Sequence, residues 1–293
     1  MNFEEKLEQK KWELTEEEFE KNADEIFAEL SLCAEKSPNP TFVFVGGQAG
    51  SGKSALVARE YNDMQGNAII IDQDELRTKF PKEKYEKIHE QYTEREEFLI
   101  LKPYIQKMIY AIKDRAIAGG YNLIVESALR SIRIFIDFIN DLNAHGYESK
   151  LSVLSVPEVE GNISMLTRYC YYLQKDGECR RNTRIDPVAV QKITENMQTL
   201  DDAGLFQDIA VSIRGEERDS LPVEVYSKRK EPQISPVEAY KKAQIEAFKQ
   251  TKRNFPDRYE EIRVVLAEYG ETEQLQKLET IKKSFEEKEK EME

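Results

Sequence analysis

One eight-residue segment, residues 47–54, constrains the fold of this chain more than any other feature. Its sequence, GQAGSGKS, fits the pattern G-x-x-x-x-G-K-[ST], in which glycines let the backbone curl so that successive N–H groups point at one anion. The apolar run 42–45 before it is typical of a buried strand, and the stretch at about 54–62 after it is typical of a helix. A strand, a glycine-rich turn and a helix in this order predict a phosphate-binding loop in an α/β fold.

Short apolar runs alternate with amphipathic stretches over the rest of the central region. Because this alternation is typical of a parallel sheet covered on both faces, we predict such a sheet flanked by helices. Further strands are predicted at 68–71, 122–125, 151–156 and 208–213. Further helices are predicted at about 83–118, 131–145, 158–175 and 187–202.

Helical segments are predicted at both ends of the chain. The first 36 residues contain a capping-box pair, Thr15 and Glu18. Beyond about residue 230, one helix is predicted to start at Ser235 and a second at Pro256, and the charge-dense tail 271–293 is typical of a solvated or partner-binding helix. We therefore expect an N-terminal helical extension at 1–36, a P-loop domain at 37–229 and a C-terminal helical extension at 230–293.

The composition narrows the classes of function. With 43 Lys and Arg against 56 Asp and Glu, the net charge is −13, which argues against a nucleic-acid partner. Two His and three Cys leave little material for a histidine metal cluster, a Ser-His-Asp centre or a disulfide framework. Since no apolar run approaches 18 residues and the N-terminus is acidic, we expect no membrane span, no secretory signal and a cytoplasmic location. Phosphoryl transfer by carboxylate, Lys and Arg side chains fits this inventory.

Two side chains of the loop are expected to contact the ligand directly. Lys53 is expected to reach the β- and γ-phosphates of a nucleotide, and the Ser54 hydroxyl is expected to bind Mg²⁺. The segment therefore predicts binding of a nucleoside triphosphate. The residues expected to line the phosphates are Gly47, Gln48, Ala49, Gly50, Ser51, Gly52, Lys53 and Ser54.

Acidic side chains and an arginine follow two of the predicted strands. Asp72 and Asp74 follow the strand at 68–71, and Glu126 and Arg130 follow the strand at 122–125. Ligands of such sheets bind beyond the carboxyl ends of the strands, so these side chains are expected near the phosphate loop. A kinase needs a base for the acceptor hydroxyl, whereas an Asp before a helix can also serve only as its cap. Asp72 fits either role.

Over about residues 15–215 the chain resembles the zeta toxin family, the toxin half of bacterial toxin–antitoxin pairs. The similar stretches are GGQAGSGKS, IDQDELR, GYNLIVESALR, GYESKLSVLSVPEVEGNISMLTRY and TLDDAGLFQDI. The resemblance implies a P-loop kinase that uses ATP and Mg²⁺ to phosphorylate the 3′-hydroxyl of UDP-N-acetylglucosamine. It also implies a small helical antitoxin as a protein partner, and no segment of this chain is identifiable as one.

The resemblance also implies roles for individual residues. Lys53 and Ser54 match the phosphate-loop pair, Asp74 matches the catalytic base, and Glu126 matches an acidic residue near the metal and the acceptor. Arg130 falls on an acceptor-side arginine. Two further arginines are expected to neutralise the transferring phosphoryl group. Arg168 matches the first, Arg184 fits the second best, and Arg180 and Arg181 compete for the second role.

Three positions depart from the family pattern. The family usually has Glu where this chain has Tyr110, a Gly-Thr-Gly run where it has Ser127-Ala128-Leu129, and a His-Asp pair where it has Gln191-Lys192. The first two fall on the acceptor side, where one lost hydrogen bond can change specificity strongly. Another nucleotide sugar, NAD, a nucleoside or a polynucleotide end therefore stays open as acceptor. A non-catalytic, nucleotide-gated protein with 230–293 as its partner surface is the alternative of another class.

Overall fold

The computed structural model describes residues 10–130, 132–179, 183, 185–215 and 220–292, with the side chains of Ile134 and Met292 outside the description. The strands are β1 (Thr41–Gly46), β2 (Ile69–Ile71), β3 (Leu123–Ser127), β4 (Glu148–Leu154), β5 (Asp208–Ile213) and β6 (Val223–Ser227). The helices are α1 (Glu16–Leu30), α2 (Lys53–Asp63), α3 (Gln73–Thr78), α4 (Lys82–Gln91), α5 (Glu94–Gly119), α6 (Arg133–Ala144), α7 (Glu158–Asp176), α8 (Ala189–Asp202), α9 (Pro236–Glu268) and α10 (Thr272–Met292).

The strands form a mostly parallel sheet in the order β2-β3-β1-β4-β5-β6. Strands β2 and β3 pair in parallel with Ile71 opposite Val125, and β6 pairs antiparallel with β5. The prediction of an α/β fold with a mainly parallel sheet flanked by helices is confirmed. Within the described residues, none of the helices combines the length and the apolar character needed to cross a membrane.

The chain divides into two compact units. The first contains described residues of 1–44 together with Val57–Ser127 and Arg133–Lys150. The second contains Val45–Leu56, Ala128–Ile132 and the chain from residue 151 onward. Helix α1 belongs to the first unit, and helices α9 and α10 belong to the second. The division into 1–36, 37–229 and 230–293 stays a prediction.

Aromatic side chains build much of the core of the first unit. Phe44 of β1 lies 4.8 Å from Phe135 of α6, measured between ring centroids, and Phe42 lies 5.7 Å from Phe138. Helix α1 begins with the predicted capping box, in which the Thr15 side chain accepts from the Glu18 N–H and the Glu18 side chain accepts from the Thr15 N–H. Its buried Phe19 meets Tyr104 of α5 edge to face. The α1 helix is therefore packed into the first unit.

The core of the second unit extends through the C-terminal helices. Phe285 of α10 stacks on Phe255 of α9 with ring centroids 4.0 Å apart, and the same cluster contains buried Ile163 and Leu166 of α7. The interpretation of the tail as a solvated or partner-binding helix was therefore wrong for its apolar face. Leu278, Ile281 and Phe285 are buried within this chain.

Several elements differ from the sequence prediction. The helix predicted at 83–118 is two helices, because Thr93 and Glu96 form a capping box that starts α5. Pro256 starts no new helix but lies inside α9, where burial of the neighbouring Phe255 offsets the hydrogen bond that proline cannot donate. Strand β6 was not predicted, although Val223, Glu224 and Val225 show the apolar–polar alternation of a strand.

Candidate functional site

The predicted phosphate loop lies in the second unit between the end of β1 and the start of α2. Gly50 and Gly52 have φ values of 70° and 94°, which side chains other than glycine rarely adopt. A Cβ on Gly50 would lie 2.2 Å from the Gly161 carbonyl oxygen in the first turn of α7. The loop therefore needs glycine at this position both for its backbone conformation and for its close approach to α7.

Hydrogen bonds within the second unit hold the loop in shape. The buried Gln48 side chain donates from Nε2 to the carbonyl oxygens of Val156 and Pro157, at 3.0 and 2.9 Å. The Lys53 ammonium donates to the Gln48 carbonyl oxygen at 3.1 Å, and the Ser51 N–H donates to the same oxygen at 3.2 Å. The chain after β4 therefore anchors the loop, and Lys53 is folded onto it.

The loop residues fit a phosphate chain and its metal ion. Ser51 is fully buried, and its hydroxyl has no hydrogen-bond partner among the described residues. The exposed Ser54 hydroxyl lies in the first turn of α2, where helix N–H groups favour anions, and it offers the oxygen ligand that Mg²⁺ prefers. In the described ranges, His, Cys, Asp and Glu side chains form no metal-binding cluster of three or more.

An arginine that sequence reasoning missed contacts the loop directly. Arg214 follows β5, and its guanidinium donates from Nε to the Ser51 carbonyl oxygen at 2.8 Å and from Nη2 to the Gly50 carbonyl oxygen. Burial is the main cause that lowers the Arg214 pKa from its ordinary value, and Glu160 acts in the opposite direction. Its position directly after a predicted strand end was the only available signal.

The segment after β3 brings Arg130 to Asp186. The Arg130 Nη2 lies 2.7 Å from Asp186 Oδ2, an ion pair by distance but not aligned as a hydrogen bond. The preceding Leu129 has a φ of 52°, and its carbonyl oxygen accepts from the Asn196 side chain at 2.8 Å. The predicted acceptor-side arginine is thus about half exposed, and its guanidinium is paired with a carboxylate.

One of the four candidate phosphate-clamping arginines, Arg168, lies within the described residues. Arg168 is exposed on α7 and forms no ion pair within the described part of the chain. Arg180, Arg181 and Arg184 lie outside the described residues. Between them, the buried Thr183 donates to the Gln274 side chain of α10 at 2.8 Å. The choice of the second clamping arginine therefore stays a prediction.

The carboxylates of the predicted site lie in the first unit. Asp72 caps α3, accepting from the Asp74 N–H at 2.8 Å, and Asp74 is exposed in the first turn of that helix. Glu126 is the penultimate residue of β3, whose parallel pairing with β2 places the carboxyl ends of both strands at one edge. Asp74 therefore follows the end of β2, and Glu126 lies near the end of the neighbouring strand β3.

A buried carboxylate in the first unit fixes the helix that carries Asp74. Glu97 of α5 forms an ion pair with Arg77 of α3 at 3.3 Å and a hydrogen bond with the His89 ring of α4 at 2.8 Å. Glu97 thus ties together three helices. Arg77 belongs to the same IDQDELR stretch as Asp74, so the motif contains a structural member beside its candidate base.

Tyr110, the main departure from the family pattern, borders an open cavity of about 140 Å³ in the first unit. Gln106 and Ile109 of α5 and Phe135 of α6 complete its lining. Burial is the main cause that raises the Tyr110 pKa, and Asp137 adds to it, so the phenol is neutral near pH 7 and able to donate a hydrogen bond. A family Glu at this position would offer an anion instead.

A family model described as Zeta toxin matches residues 23–231, more than two thirds of the chain. The chain belongs to the zeta toxin family. It is therefore related to kinase-like, nucleotide-binding toxins of toxin–antitoxin systems, as the resemblance implied. The family match includes both the phosphate loop and the Asp74 segment.

Individual relatives agree with the zeta toxin assignment. The toxin zeta of Streptococcus pyogenes is 31% identical over 230 residues, covering 78% of this chain and 77% of its own length. The toxin zeta of Enterococcus hirae is 32% identical over 222 residues, covering 75% and 74%. Toxin PezT of Streptococcus pneumoniae is 24% identical over 204 residues, covering 67% and 78%.

Solved structures share the fold of this zeta toxin family member. A chain of the PezAT chromosomal toxin–antitoxin system of Streptococcus pneumoniae matches with a TM-score of 0.72 and 22% identity, over 86% of this chain and 98% of that one. A chain of AvrRxo1-ORF1:-ORF2 with ATP matches with a TM-score of 0.57 and 14% identity, over 86% and 84%. The α/β architecture is therefore shared beyond the range of close sequence similarity.

Proposed function

We propose that this zeta toxin family member is a cytoplasmic kinase that transfers the γ-phosphate of ATP to a sugar hydroxyl of a nucleotide sugar. UDP-N-acetylglucosamine, at its 3′-hydroxyl, is the leading candidate acceptor. The observation that carries the proposal is the phosphate loop, whose glycine conformations and buried Ser51 hydroxyl suit a phosphate ligand. Family membership supports the kinase class, and the resemblance supports this acceptor.

On the donor side, the loop N–H groups and Lys53 would bind the β- and γ-phosphates. The Ser54 hydroxyl would hold Mg²⁺ together with phosphate oxygens, and the ion would neutralise phosphate charge when bound. Arg168 and Arg184 would neutralise the charge that spreads over the transferring phosphoryl oxygens. Guanidinium groups suit this role because they offer paired donors in a fixed plane.

On the acceptor side, Asp74 would act as the general base. Its carboxylate would take the proton of the acceptor hydroxyl while that oxygen attacks the γ-phosphorus and the bond to the β–γ bridging oxygen breaks. ADP and a sugar phosphate would result, and Asp74 would release the proton to water. Glu126 and Arg130 would bind the acceptor, and Arg130 would exchange its ion pair with Asp186 for an acceptor group.

One observation favours a second acceptor class. The cavity beside Tyr110 is lined mainly by apolar and aromatic side chains, with the Gln106 amide and the Tyr110 phenol as polar groups. It therefore suits an uncharged acceptor group rather than one that pairs with a carboxylate. A different nucleotide-type acceptor, such as NAD, a nucleoside or a polynucleotide end, is the alternative within the kinase class.

We also propose a small helical antitoxin as the protein partner. The support is the family membership and the structural likeness to a chain of the PezAT toxin–antitoxin system. Co-expression of the chain with the protein encoded beside it, followed by co-purification, tests this partner. A toxic chain whose toxicity no neighbouring gene product relieves would contradict it.

The kinase proposal is tested with labelled ATP, Mg²⁺ and a panel of acceptors that includes UDP-N-acetylglucosamine, other nucleotide sugars, NAD, a nucleoside and an oligonucleotide. The wild-type protein is expected to label UDP-N-acetylglucosamine. Lys53→Ala and Asp74→Asn are expected to lower turnover about 100-fold or more, because each removes a group used in the transition state. Asp72→Asn is the matched control, since Asn caps a helix as well as Asp does.

Each outcome of that experiment has a distinct meaning. Labelling of another nucleotide-type acceptor alone would support the kinase activity and contradict the proposed nucleotide-sugar acceptor. Full activity of Asp74→Asn would remove Asp74 as the base. ATP binding without any labelled product would leave the non-catalytic, nucleotide-gated alternative.

A further inference from the structure

The phosphate loop is held from the side opposite to its N–H groups by one guanidinium. Arg214 donates to the carbonyl oxygens of Gly50 and Ser51. Because a trans peptide is planar, its C=O and N–H point in opposite directions. Fixing the Ser51 carbonyl oxygen therefore also fixes the direction of the Gly52 N–H. Arg214 thus orients one donor, the Gly52 N–H, that an anion in the loop would meet.

Arg214 is in turn held by α7. Its Nη1 donates to the Glu160 carboxylate, and both terminal nitrogens lie 3.2 Å from the Ser164 hydroxyl. Glu160 is buried and lies one turn before Ser164, whose hydroxyl donates back to the Glu160 carboxylate at 3.0 Å. The first two turns of α7 thus form the support on which Arg214 rests.

A second arginine reaches the same support from the C-terminal helices. Arg258 of α9 donates to the Glu160 Oε1 at 2.6 Å, to the Ser164 hydroxyl at 3.0 Å and to the Thr167 hydroxyl at 3.2 Å. Glu160 therefore receives hydrogen bonds from two guanidinium groups. Arg214, Glu160 and Arg258 form a continuous set of contacts from α9 to the loop, which we name the arginine relay.

The backbone beneath the loop is also held by α9. The Val156 carbonyl oxygen accepts from the Gln48 side chain of the loop and, at 3.1 Å, from the Gln244 side chain of α9. The adjacent Ser155 hydroxyl donates to the Tyr240 carbonyl oxygen at 3.0 Å in a buried position. Both chain segments that anchor the loop, the end of β4 and the start of α7, are therefore in contact with α9.

The charges of the relay also favour an anion. Two guanidinium groups share one carboxylate, so the relay carries a net charge of +1 next to the loop. Removing Arg258 would leave Glu160 to neutralise Arg214 alone, which cancels this charge and takes away one of the groups that fix the Glu160 carboxylate on which Arg214 rests. Both effects weaken anion binding in a half-buried site, where charge is poorly screened.

We propose that Arg258 and Glu160 are positioning residues of the nucleotide site, and that through the arginine relay the C-terminal helix α9 holds the phosphate loop in its nucleotide-binding conformation. This inference rests on the proposed binding of ATP by the loop. It makes the C-terminal extension a required part of the kinase rather than an added partner surface. The nucleotide affinity of the loop then depends on a side chain more than 200 positions away in the chain.

The test is nucleotide binding by the full chain, measured by calorimetry with Mg²⁺ and ADP. Arg258→Gln is expected to weaken binding about tenfold, because a charge-assisted contact to Glu160 is lost. Arg258→Lys keeps the charge and is expected to recover part of the affinity. Arg253→Gln, an exposed arginine on the same helix, is the matched control and is expected to bind as wild type.

A double variant separates positioning from general damage to the fold. If Arg258 acts through Glu160, Arg258→Gln changes the affinity of the Glu160→Gln protein by less than about twofold, whereas independent effects multiply. Thermal unfolding of each variant is measured in parallel, and Arg258→Lys serves as the reporter if Arg258→Gln does not fold. In steady-state kinase assays of Arg258→Gln, the KM for ATP is expected to rise by a larger factor than kcat falls.

The outcomes distinguish this inference from the function on which it rests. A wild-type protein that binds no adenine nucleotide would overturn the proposed function. Wild-type binding that Arg258→Gln and Arg258→Lys both retain within about twofold would overturn the relay. Losses that multiply in the double variant would show that Arg258 does not act through Glu160.

Discussion

Leu129 is one residue whose backbone conformation has a cost. Its φ of 52° is left-handed, which costs a residue other than glycine about 1–2 kcal/mol. The resemblance places a family glycine here, and in this chain the leucine side chain is fully buried against Gly46. Burying a leucine contributes about 1.5–3 kcal/mol, which offsets the strain. Leu129 therefore adopts the left-handed backbone conformation of the turn, and its buried side chain fills the adjacent space with apolar atoms.

Tyr110 carries the prediction about acceptor choice. Tyr110→Glu restores the acidic residue usual in the family and replaces a neutral phenol by an anion. We expect the variant to shift the kcat/KM ratio between UDP-N-acetylglucosamine and the best alternative acceptor toward UDP-N-acetylglucosamine, by about tenfold or more. Competition assays with both acceptors present measure this ratio.

The control for Tyr110 is an exposed tyrosine of the second unit. Tyr171→Glu introduces the same charge on α7 and is expected to leave the ratio unchanged. An unchanged ratio in Tyr110→Glu as well would show that Tyr110 does not select the acceptor.

Glu158 carries a prediction about pH. Burial raises the pKa of its carboxyl above the ordinary value of 4.5, and Asp186 adds to the rise, while a hydrogen bond with Asn162 acts in the opposite direction. The folded state therefore binds the proton more tightly than the unfolded state. The free energy of unfolding contributed by Glu158 falls as the pH rises from 4.5 through the folded-state pKa, and the loss persists above it.

Glu158→Gln removes this titration. We expect the variant to be more stable than wild type at pH 7, with the difference vanishing below about pH 4.5, where both states of wild type are protonated. Urea unfolding between pH 4 and pH 7 measures it. Glu178→Gln, an exposed residue beyond the same helix, is the control. A stability difference that does not change with pH would rule out the carboxyl as its cause.

Among the elements, α10 differs most from its sequence interpretation. Its composition is charge-dense, yet between Leu275 and Phe285 every third or fourth position is apolar and packs in the core cluster that contains residues of α7 and α9. Two further contacts tie it to the segments that carry the candidate clamping arginines. Tyr169 donates at 2.9 Å to Glu271, the residue before the helix, and Lys277 of the helix donates to the Thr183 hydroxyl at 3.0 Å. The helix therefore braces α7 next to Arg168 and the chain next to Arg184.

Phe285 carries the prediction for this element. It stacks on Phe255 and lies 5.7 Å from the Phe248 ring, so Phe285→Ala would leave a cavity in the core of the second unit. We expect a loss of about 3–5 kcal/mol in the free energy of unfolding, measured by chemical denaturation. Glu286→Ala on the exposed face is expected to change it by less than about 0.5 kcal/mol. If α10 were solvated on all its faces, Phe285→Ala and Glu286→Ala would change the free energy of unfolding by similar amounts.

For the whole molecule, net charge is a poor guide to the site. The chain carries −13, yet the arginine relay has a net charge of +1 beside the phosphate loop. Part of the net negative charge lies in the tail, where residues 271–293 contain eight Glu and five Lys. Exposed charges separated by more than about 10 Å are largely screened at 0.1 M salt, so the local charges dominate anion binding.

The limits of the family match also differ from the limits of the packed core. The family model ends at residue 231, before α9 begins at Pro236. The hydrophobic core of the second unit continues to Phe285, and the structural likeness to the PezAT chain covers 86% of this chain. The predicted boundary at 230 therefore lies between segments that contribute to one hydrophobic core.

The sequence by itself determined the parts of this protein that depend on local chemistry. The phosphate loop, the Thr15 and Ser235 helix caps and most strands follow from residue types within a few positions of each other, so their patterns are visible in the chain. The stretches of similar sequence between about residues 15 and 215, in their order along the chain, also pointed to the zeta toxin family.

Only the tertiary structure decided the contacts between distant segments. Arg214 lies 163 positions from Ser51, and nothing local to either residue encodes their hydrogen bond. The same holds for the burial of α10 and for the continuity of α9 through Pro256, where packing outweighs local preference. Sequence patterns report which faces are apolar, and the partner that covers each face is set by the packing of the whole chain.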